Sequence, residues 1–352
     1  MERHSEAWGF ACILIALSFV QMGCDVLVSF SGHEGKPACN APSASSSASP
    51  DVQVQHVFIV LEENHPYERV IRSPNMPYLK SLATTYTYAQ GYYANTHPSI
   101  GNYFMLTTGQ IITNDDGFSG TVTADNIVRH LIAAGKTWKE YSENLPFVGY
   151  TGGDAGTDAK PYTEHHNPLS YFSDVRGNSA QSMNLVPFTQ FATDLANHAL
   201  PNYSFIVPSN VDNAHSCPAA IPNCTVPQKL AAADNWLATN IDPLIKSSDF
   251  NSPGGGLLII TFDESDLIDT VMGGGHIIWV LVGPDVKNGY VSTTCYQHES
   301  TLRFMSEAIG LTDFPGASGY GRRHGRIHSG GYRSLTPSPN FSRIKALNAA
   351  IT

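Results

Sequence analysis

The chain has 352 residues, of which 42% are hydrophobic and 14% are charged, a composition typical of a globular protein. Its formal net charge of -10 argues against a nucleic-acid-binding protein, because phosphate backbones are held by basic residues. An α/β enzyme of this length is often one domain around one large sheet, so we expect a single sizeable core.

The N-terminus has the features of an export signal. Residues 8–20 form an apolar run of the length found in secretory signals, and Gly23-Cys24 resembles a lipoprotein cleavage site. Residues 1–24 are therefore predicted to be a signal peptide or lipoprotein signal, and residues 25–53, which are rich in Ser, Ala and Pro, a flexible tether. The protein is expected to be exported, as a periplasmic, membrane-anchored or secreted protein, with attachment to a membrane through the N-terminus left open.

The rest of the chain alternates between strand and helix patterns. Continuous β-branched runs suit strands buried on both faces of a parallel sheet. Such runs occur at 56–61, 203–207, 257–262 and 277–282, and helical patterns at 100–108, 124–134, 228–245 and 300–309. The predicted fold class is α/β: a single large, mainly parallel sheet with helices on both faces, in a catalytic domain at 54–335 followed by a C-terminal tail at 336–352.

Polar residues follow three of the predicted strands. They are Glu62-Glu63-Asn64, residues 209–215 and residues 263–266. Ligands of open parallel sheets gather beyond the carboxyl ends of the strands, so these side chains are expected to meet along one edge.

Ser99 is the candidate nucleophile. It follows His97-Pro98 at the predicted start of the helix at 100–108, where backbone N–H groups and the helix dipole favour an alkoxide and bind a phosphoryl group. Hydrolysis of a phosphate ester also needs positive charge, which metal ions supply. The alternative is that Ser99 only caps this helix.

Two metal sites are predicted. Glu63, Asn64, Asp263 and Glu264 offer hard oxygen donors and, with Ser99, would bind one or more divalent metal ions of unknown identity. The alternative is that these acidic pairs are helix caps or solvated charges. Asp212, His215 and His276 are candidates for a second, nitrogen-rich site suited to zinc, although a lone His such as His276 is as often structural.

The cysteines fit an oxidising compartment. Cys217 and Cys224 close a short Pro-rich loop and are the predicted disulfide, while Cys39 and Cys295 could pair only through the fold. The alternative is that all of these cysteines are unpaired.

Six short motifs occur in one order along the chain. They are Glu63-Asn64, Ser99-Ile-Gly-Asn-Tyr103 followed by Thr108-Gly109, Tyr141-x-Glu143-x-Leu-Pro146, His166-Asn167-Pro168, Asp263-Glu264 and Gln297-His298-Glu-Ser300-x-Leu-Arg303. The motifs and their order resemble those of the bacterial phosphoesterase family, a part of the alkaline phosphatase superfamily. This family includes secreted acid phosphatases and phospholipase C-type enzymes. Two positions depart from the pattern: Gly101 stands where Pro is usual, and His165 where Lys commonly precedes His-Asn-Pro.

The resemblance implies an alkaline phosphatase-like fold and a role for each matching residue. Ser99 would be the nucleophile, Asn102 would contact the phosphoryl oxygens, and the acidic motifs would bind metal. The resemblance places three histidines in the pocket, as metal ligands or as the acid that protonates the leaving group: His166, His215 and His298. His97 and His165 are further candidates for substrate binding, together with Asn102 and His166.

The leading functional hypothesis is an exported, acid phosphatase-like phosphomonoesterase that uses a Ser nucleophile with metal assistance. Its substrate would be a phosphorylated small molecule or a phospholipid headgroup, and not a nucleic acid. The alternatives are a phospholipase C or other phosphodiesterase, and a non-catalytic lipoprotein that binds metal or phosphate. A sulfatase is disfavoured, because its modified nucleophile is followed by Pro and Arg where this chain has Gly101 and Tyr103.

Overall fold

The computed structural model describes residues 53–316. The predicted signal at 1–24, nearly all of the tether at 25–53 and the tail at 336–352 lie outside these residues, as does the end of the predicted catalytic domain at 317–335. Those boundaries stay predictions.

The described chain forms ten strands and eleven α-helices, with two short 3-10 helices at Glu164–His166 and Pro168–Tyr171. The strands are β1 (His56–Glu62), β2 (Thr87–Tyr93), β3 (Trp138–Ser142), β4 (Ala155–Thr157), β5 (Lys160–Tyr162), β6 (Leu185–Pro187), β7 (Tyr203–Val207), β8 (Gly256–Phe262), β9 (His276–Val282) and β10 (Tyr290–Tyr296). The helices are α1 (Tyr67–Ile71), α2 (Pro77–Thr85), α3 (Ser99–Thr108), α4 (Ile127–Ala133), α5 (Ser173–Arg176), α6 (Ser179–Ser182), α7 (Thr189–Ala196), α8 (Val226–Asn240), α9 (Asp242–Lys246), α10 (Ser248–Asn251) and α11 (His298–Ala308).

Eight strands form one sheet in the order β10-β2-β9-β8-β1-β7-β3-β6, and β4 and β5 form a separate hairpin. The central strands β1, β7 and β8 are buried along nearly their whole length, since helices cover both faces of the sheet. Within the helical layers α3 packs with α11, and α2 with α8. The predicted α/β class with one large, mainly parallel sheet is confirmed.

One of the four predicted strands runs in the opposite direction to the others. β9 pairs antiparallel with both β8 and β2, whereas the remaining pairs in the large sheet are parallel. The prediction that the run at 277–282 is a parallel strand was therefore wrong. The connection from β8 to β9 contains no helix. A parallel neighbour would need a crossover connection, usually a helix, whereas an antiparallel neighbour needs none.

The predicted helix at 228–245 is divided in two. α8 ends at Asn240, and α9 begins at Asp242 with a proline in its first turn. A proline inside a helix lacks an N–H to donate and clashes with the preceding turn, so the helix restarts there. The helix predicted at 124–134 begins later, at Ile127, because the Asn126 side chain accepts the backbone N–H of Arg129 as an N-cap.

The predicted disulfide between Cys217 and Cys224 is confirmed, with the two Cα atoms 5.5 Å apart. The other pairing considered, Cys39 with Cys295, involves a residue outside the described range. Among residues 53–316 no helix has the length and apolar content needed to cross a bilayer.

A buried acid in β3 makes stability depend on pH. Glu140 is fully buried; its Oε2 accepts the backbone N–H of Leu169, while Oε1 has no hydrogen-bond partner. Burial raises the pKa of Glu140 to about 8. The folded protein therefore keeps a proton that the unfolded chain loses above its ordinary carboxyl pKa of about 4.3.

We expect Glu140→Gln to raise the free energy of unfolding at pH 8 by a few kcal/mol and to have little effect near pH 4.5. The stability given by the Glu140 proton is complete below the unfolded pKa and is lost as the pH rises through about 8. Denaturant unfolding of the two proteins at several pH values measures this difference. The exposed Glu68→Gln is the matched control, and an equal gain in both variants would contradict the assignment to Glu140.

Candidate active site

The acidic residues meet because two neighbouring strands end at the same level. β1 and β8 are parallel neighbours, and Glu62 is aligned with Phe262, so Glu63 and Asp263 follow at the next position of each strand. Both carboxyl groups are fully buried. The backbone N–H of Asn64 donates to Asp263 Oδ1 at 3.1 Å and joins the two strand ends.

Asn64 turns the chain sharply at this point. Its φ is +61°, a left-handed conformation that Asn tolerates better than most residues. In this conformation its side-chain Nδ2 donates to Glu63 Oε2 at 3.1 Å. The predicted ligands Glu63, Asn64 and Asp263 are thus together.

Ser99 is the first residue of α3, as predicted, and is almost buried. Its Oγ donates to Glu63 Oε2 at 3.2 Å, which brings the candidate nucleophile to the acidic strand ends. The backbone N–H of Ile100 at the start of α3 donates to Asp116 Oδ1 at 3.1 Å. This helix start thus holds an anionic group, and helix N-termini bind phosphoryl groups in the same way.

Glu264 contacts the segment that contains Ser99. Its Oε2 is 3.1 Å from His97 Nδ1 and accepts a hydrogen bond from Asn102 Nδ2 at 3.3 Å. The bond with Glu264 raises the pKa of His97 above its ordinary value. His97, a predicted substrate-binding residue, is therefore a partner of Glu264 in this structure.

Asn102 is fully buried, and its side chain is completely engaged. Its Oδ1 accepts the backbone N–H groups of Asn95 and Thr96, while Nδ2 donates to Thr96 O at 2.9 Å and to Glu264. The side chain holds the turn before Ser99 in place. A contact between Asn102 Nδ2 and a phosphoryl oxygen requires replacing its contact with Glu264.

Tyr103 is a site residue that was not assigned a role from the sequence. Its hydroxyl donates to Glu63 Oε1 at 2.6 Å, and its ring stacks on His166 with centroids 5.0 Å apart. Its position four residues after Ser99 could have indicated a place in the site, because residues i and i+4 lie on the same face of a helix.

His165, His166 and His215 form a cluster beside Glu63. The rings of His165 and His166 are 4.4 Å apart and those of His166 and His215 are 6.1 Å apart, while His166 Nε2 lies 3.2 Å from Glu63 Oε1. Burial lowers the pKa of each of the three histidines. These imidazoles are therefore neutral near pH 7. His166 also lines a small pocket with Glu143, Asn167 and Asn210.

His298 does not line the pocket. It is fully buried, with Nε2 2.7 Å from the backbone carbonyl of Asp263 and Nδ1 3.1 Å from the hydroxyl of Tyr92. Both ring nitrogens are engaged, and burial lowers the pKa of His298 to about 4. In this structure His298 contacts the strand end at Asp263, and its role as a metal ligand or as the acid stays a prediction.

The three residues of the predicted zinc site are not brought together. β9 and β7 are three strands apart in the sheet, which corresponds to roughly 14 Å at the usual strand spacing. His276 at the start of β9 stacks between Tyr67 and Tyr93, and its Nε2 is 2.7 Å from Gln90 O. Asp212 accepts a hydrogen bond from Ser209 Oγ, and only His215 joins the histidine cluster. The three residues do not meet, because β8 and β1 lie between β9 and β7 in the sheet.

Crowding and burial shift the pKa of each acid in the site. Burial, followed by the charge of Asp263, raises the pKa of Glu63 well above its ordinary value. Burial also raises the pKa of Asp263 to about 6 and that of Glu264 to about 7. Three carboxyl groups held this close keep their charges only with compensating positive charge, or else they bind protons.

The donor set fits a hard divalent cation. No group of three or more His, Cys, Asp and Glu side chains within residues 53–316 has the arrangement of a preformed metal site. However, Asp263 Oδ2 is buried without a hydrogen-bond partner, and the oxygens of Glu63, Asn64 and Ser99 lie within the same hydrogen-bonded group. Carboxylate, amide and hydroxyl oxygens are the ligands that Mg²⁺, Ca²⁺ and Mn²⁺ prefer.

Solved structures share this fold. A protein of the alkaline phosphatase superfamily from Vibrio parahaemolyticus matches with a TM-score of 0.53 and 16% identity, over 78% of this chain and 71% of its own. The lipoteichoic acid synthase of Listeria monocytogenes matches with a TM-score of 0.55 and 10% identity, over 76% of each chain. The protein therefore has the alkaline phosphatase superfamily fold, with a serine and buried acids at the carboxyl edge of its sheet.

Within that class, the chain belongs to the Phosphoesterase family, whose model matches residues 70–312. It is 31% identical over 308 residues to an acid phosphatase of Aspergillus fumigatus, covering 84% of this chain and 64% of the relative. It is 30% identical over 277 residues to a phosphatidylinositol-3-phosphatase of Mycobacterium tuberculosis, covering 77% and 82%. The alignment thus spans less than two thirds of the A. fumigatus protein.

Gly101, the departure noted in the nucleophile turn, is explained by close packing. A Cβ atom at this position would lie 2.4 Å from Asn114 Oδ1 and 2.5 Å from Thr96 Cγ2. We expect Gly101→Ala to destabilise the protein by about 1–3 kcal/mol, because the side chains of Asn114 and Thr96 must move out of their packed positions.

Thermal or denaturant unfolding measures the effect of Gly101→Ala. Gly153→Ala is the matched control, since the nearest atom to its Cβ would be Glu164 Oε2 at 3.7 Å. Equal stability of the two variants would show that the start of α3 has more room than the structure indicates.

Proposed function

We propose that the protein is an exported phosphomonoesterase of the acid phosphatase type, with Ser99 as the nucleophile. The observation that supports this most directly is the hydroxyl of Ser99, which lies at the start of α3 within hydrogen-bond distance of the buried carboxylate of Glu63. The relatives named acid phosphatase and phosphatidylinositol-3-phosphatase support a monoester substrate. Export rests on the apolar run at residues 8–20.

The proposed metal site consists of Glu63, Asn64, Asp263 and Glu264 with the Ser99 hydroxyl. A divalent cation bound there would lower the pKa of that hydroxyl and offset the negative charge of the phosphoryl group. The chain holds these ligands in place through neighbouring contacts. Tyr103 fixes Glu63 Oε1, and His298 fixes the backbone at Asp263.

The reaction would proceed in two displacements. Ser99 Oγ loses its proton and forms a bond to phosphorus as the ester P–O bond breaks, so the leaving oxygen departs with the electron pair and takes up a proton. Water then attacks phosphorus, the Oγ–P bond breaks, and Ser99 Oγ regains a proton as phosphate leaves. The histidine cluster, which touches Glu63 through His166, supplies groups able to pass these protons.

We expect Ser99→Ala to lower turnover of p-nitrophenyl phosphate by at least about a thousandfold, because no other hydroxyl replaces the nucleophile. The unfolding midpoint should stay close to that of the parent. Ser179→Ala is the matched control, since Ser179 also begins a helix but is exposed. Retained turnover in folded Ser99→Ala would remove Ser99 from the mechanism.

Chelation should abolish turnover, and a divalent cation should restore it, because the crowded acids need positive charge to stay ionised around a phosphate ester. Metal analysis of the purified protein, with activity measured before and after chelation, tests this expectation. Activity that survives complete removal of metal would contradict the proposed metal site.

Comparison of p-nitrophenyl phosphate with bis-p-nitrophenyl phosphate distinguishes the alternatives. A monoesterase should prefer the monoester, whereas a phospholipase C-type enzyme should prefer the diester. Tight phosphate binding without turnover of either substrate, with metal supplied, would indicate a binding protein instead.

A further inference from the structure

The loop between β8 and β9 has an unusual distribution of side chains. Residues 266–273 follow the site acids directly and carry four exposed apolar side chains. Their exposed fractions are 69% for Leu267, 91% for Ile268, 41% for Val271 and 36% for Met272. Adjacent exposed apolar residues beside a ligand site commonly mark a surface that meets another apolar surface.

The two acidic side chains of this loop are engaged by neighbouring groups of the protein. Asp266 pairs with Arg69 at 2.8 Å, while the Asp269 carboxylate accepts the backbone N–H groups of His276 and Val271. These contacts hold the loop in place, while the side chains of Leu267 and Ile268 are exposed.

The loop also contacts the segment that leads to Ser99. The backbone carbonyl of Asp269 is 3.1 Å from His97 Nε2, and Gln297 Nε2 donates to Met272 O at 2.9 Å. Gly273 has φ +106°, and a Cβ there would lie 1.9 Å from the carbonyl oxygen of Asn95. The apolar loop is thus held against the turn that carries the nucleophile.

We propose that residues 266–273 form an interfacial docking loop that seats the protein on a neutral phospholipid surface, so that the Ser99 site meets phosphate monoesters embedded there. The inference rests on the proposed function for the nature of the reaction. The choice of a neutral surface follows from charge: the loop contains two Asp residues and no Lys or Arg, and the neighbouring Arg69 is paired with Asp266. Attraction to anionic lipid needs free basic residues near the surface.

The test compares the full-length parent with the double variant L267S/I268S in co-sedimentation with phosphatidylcholine vesicles. We expect the variant to bind at least about tenfold more weakly, since two apolar side chains no longer leave water. Both proteins share residues 1–52, so any vesicle binding by that segment is common to both. The matched control is Ile132→Ser, which changes a side chain of α4 that is 41% exposed.

Turnover separates this inference from the proposed function. The variant should hydrolyse soluble p-nitrophenyl phosphate like the parent, but it should lose activity on a long-chain alkyl phosphate diluted into phosphatidylcholine vesicles. If the parent fails to hydrolyse p-nitrophenyl phosphate, the proposed function is wrong, whereas the vesicle-binding result still decides the docking loop.

Three results would overturn the docking loop. The first is vesicle binding that is absent in the parent or equal in parent and variant. The second is binding that requires anionic lipid and disappears with added salt, which would indicate electrostatic attachment. The third is a change in oligomeric state on substitution without any change in vesicle binding, which would identify the loop as a contact between copies of the chain.

Discussion

The burial of Glu63, Asp263 and Glu264 at the ends of two adjacent strands is the constraint on which the rest of the site depends. Buried carboxyl groups in contact are unfavourable unless hydrogen bonds, protons or cations compensate them. The neighbouring polar groups meet that need, since Ser99 and Tyr103 both donate to Glu63. The proposed nucleophile is thus held in place by the same carboxylate that is proposed to bind metal.

The fold brings these groups together through strand register and direction. Parallel β1 and β8 place their acids at one level, and β9 starts at this same edge because it is antiparallel to β8 and no helix lies between them. The connection between β8 and β9 therefore stays beside the site. The backbone carbonyl of Asp269 and the carboxylate of Glu264 contact opposite ring nitrogens of His97, so this side chain links the apolar loop to the site acids.

The histidines show how one residue type serves different purposes in one fold. His166 contacts Glu63 and adjoins a pocket, which agrees with a part in proton transfer. His298 and His276 are instead fixed by backbone carbonyls and aromatic rings inside the protein. Imidazole does not reveal its role through sequence position alone, because both ring nitrogens can be satisfied by distant segments.

The sequence by itself determined four of the eight strands of the large sheet, the acids that follow β1 and β8, and Ser99 at the start of α3. Apolar runs and the residues directly after them are local features. The resemblance added the family. The less apolar strands β2, β3, β6 and β10, the direction of β9 and the partners of each histidine were decided only by the tertiary structure. These features depend on contacts between segments far apart in the chain, and such contacts leave no local pattern.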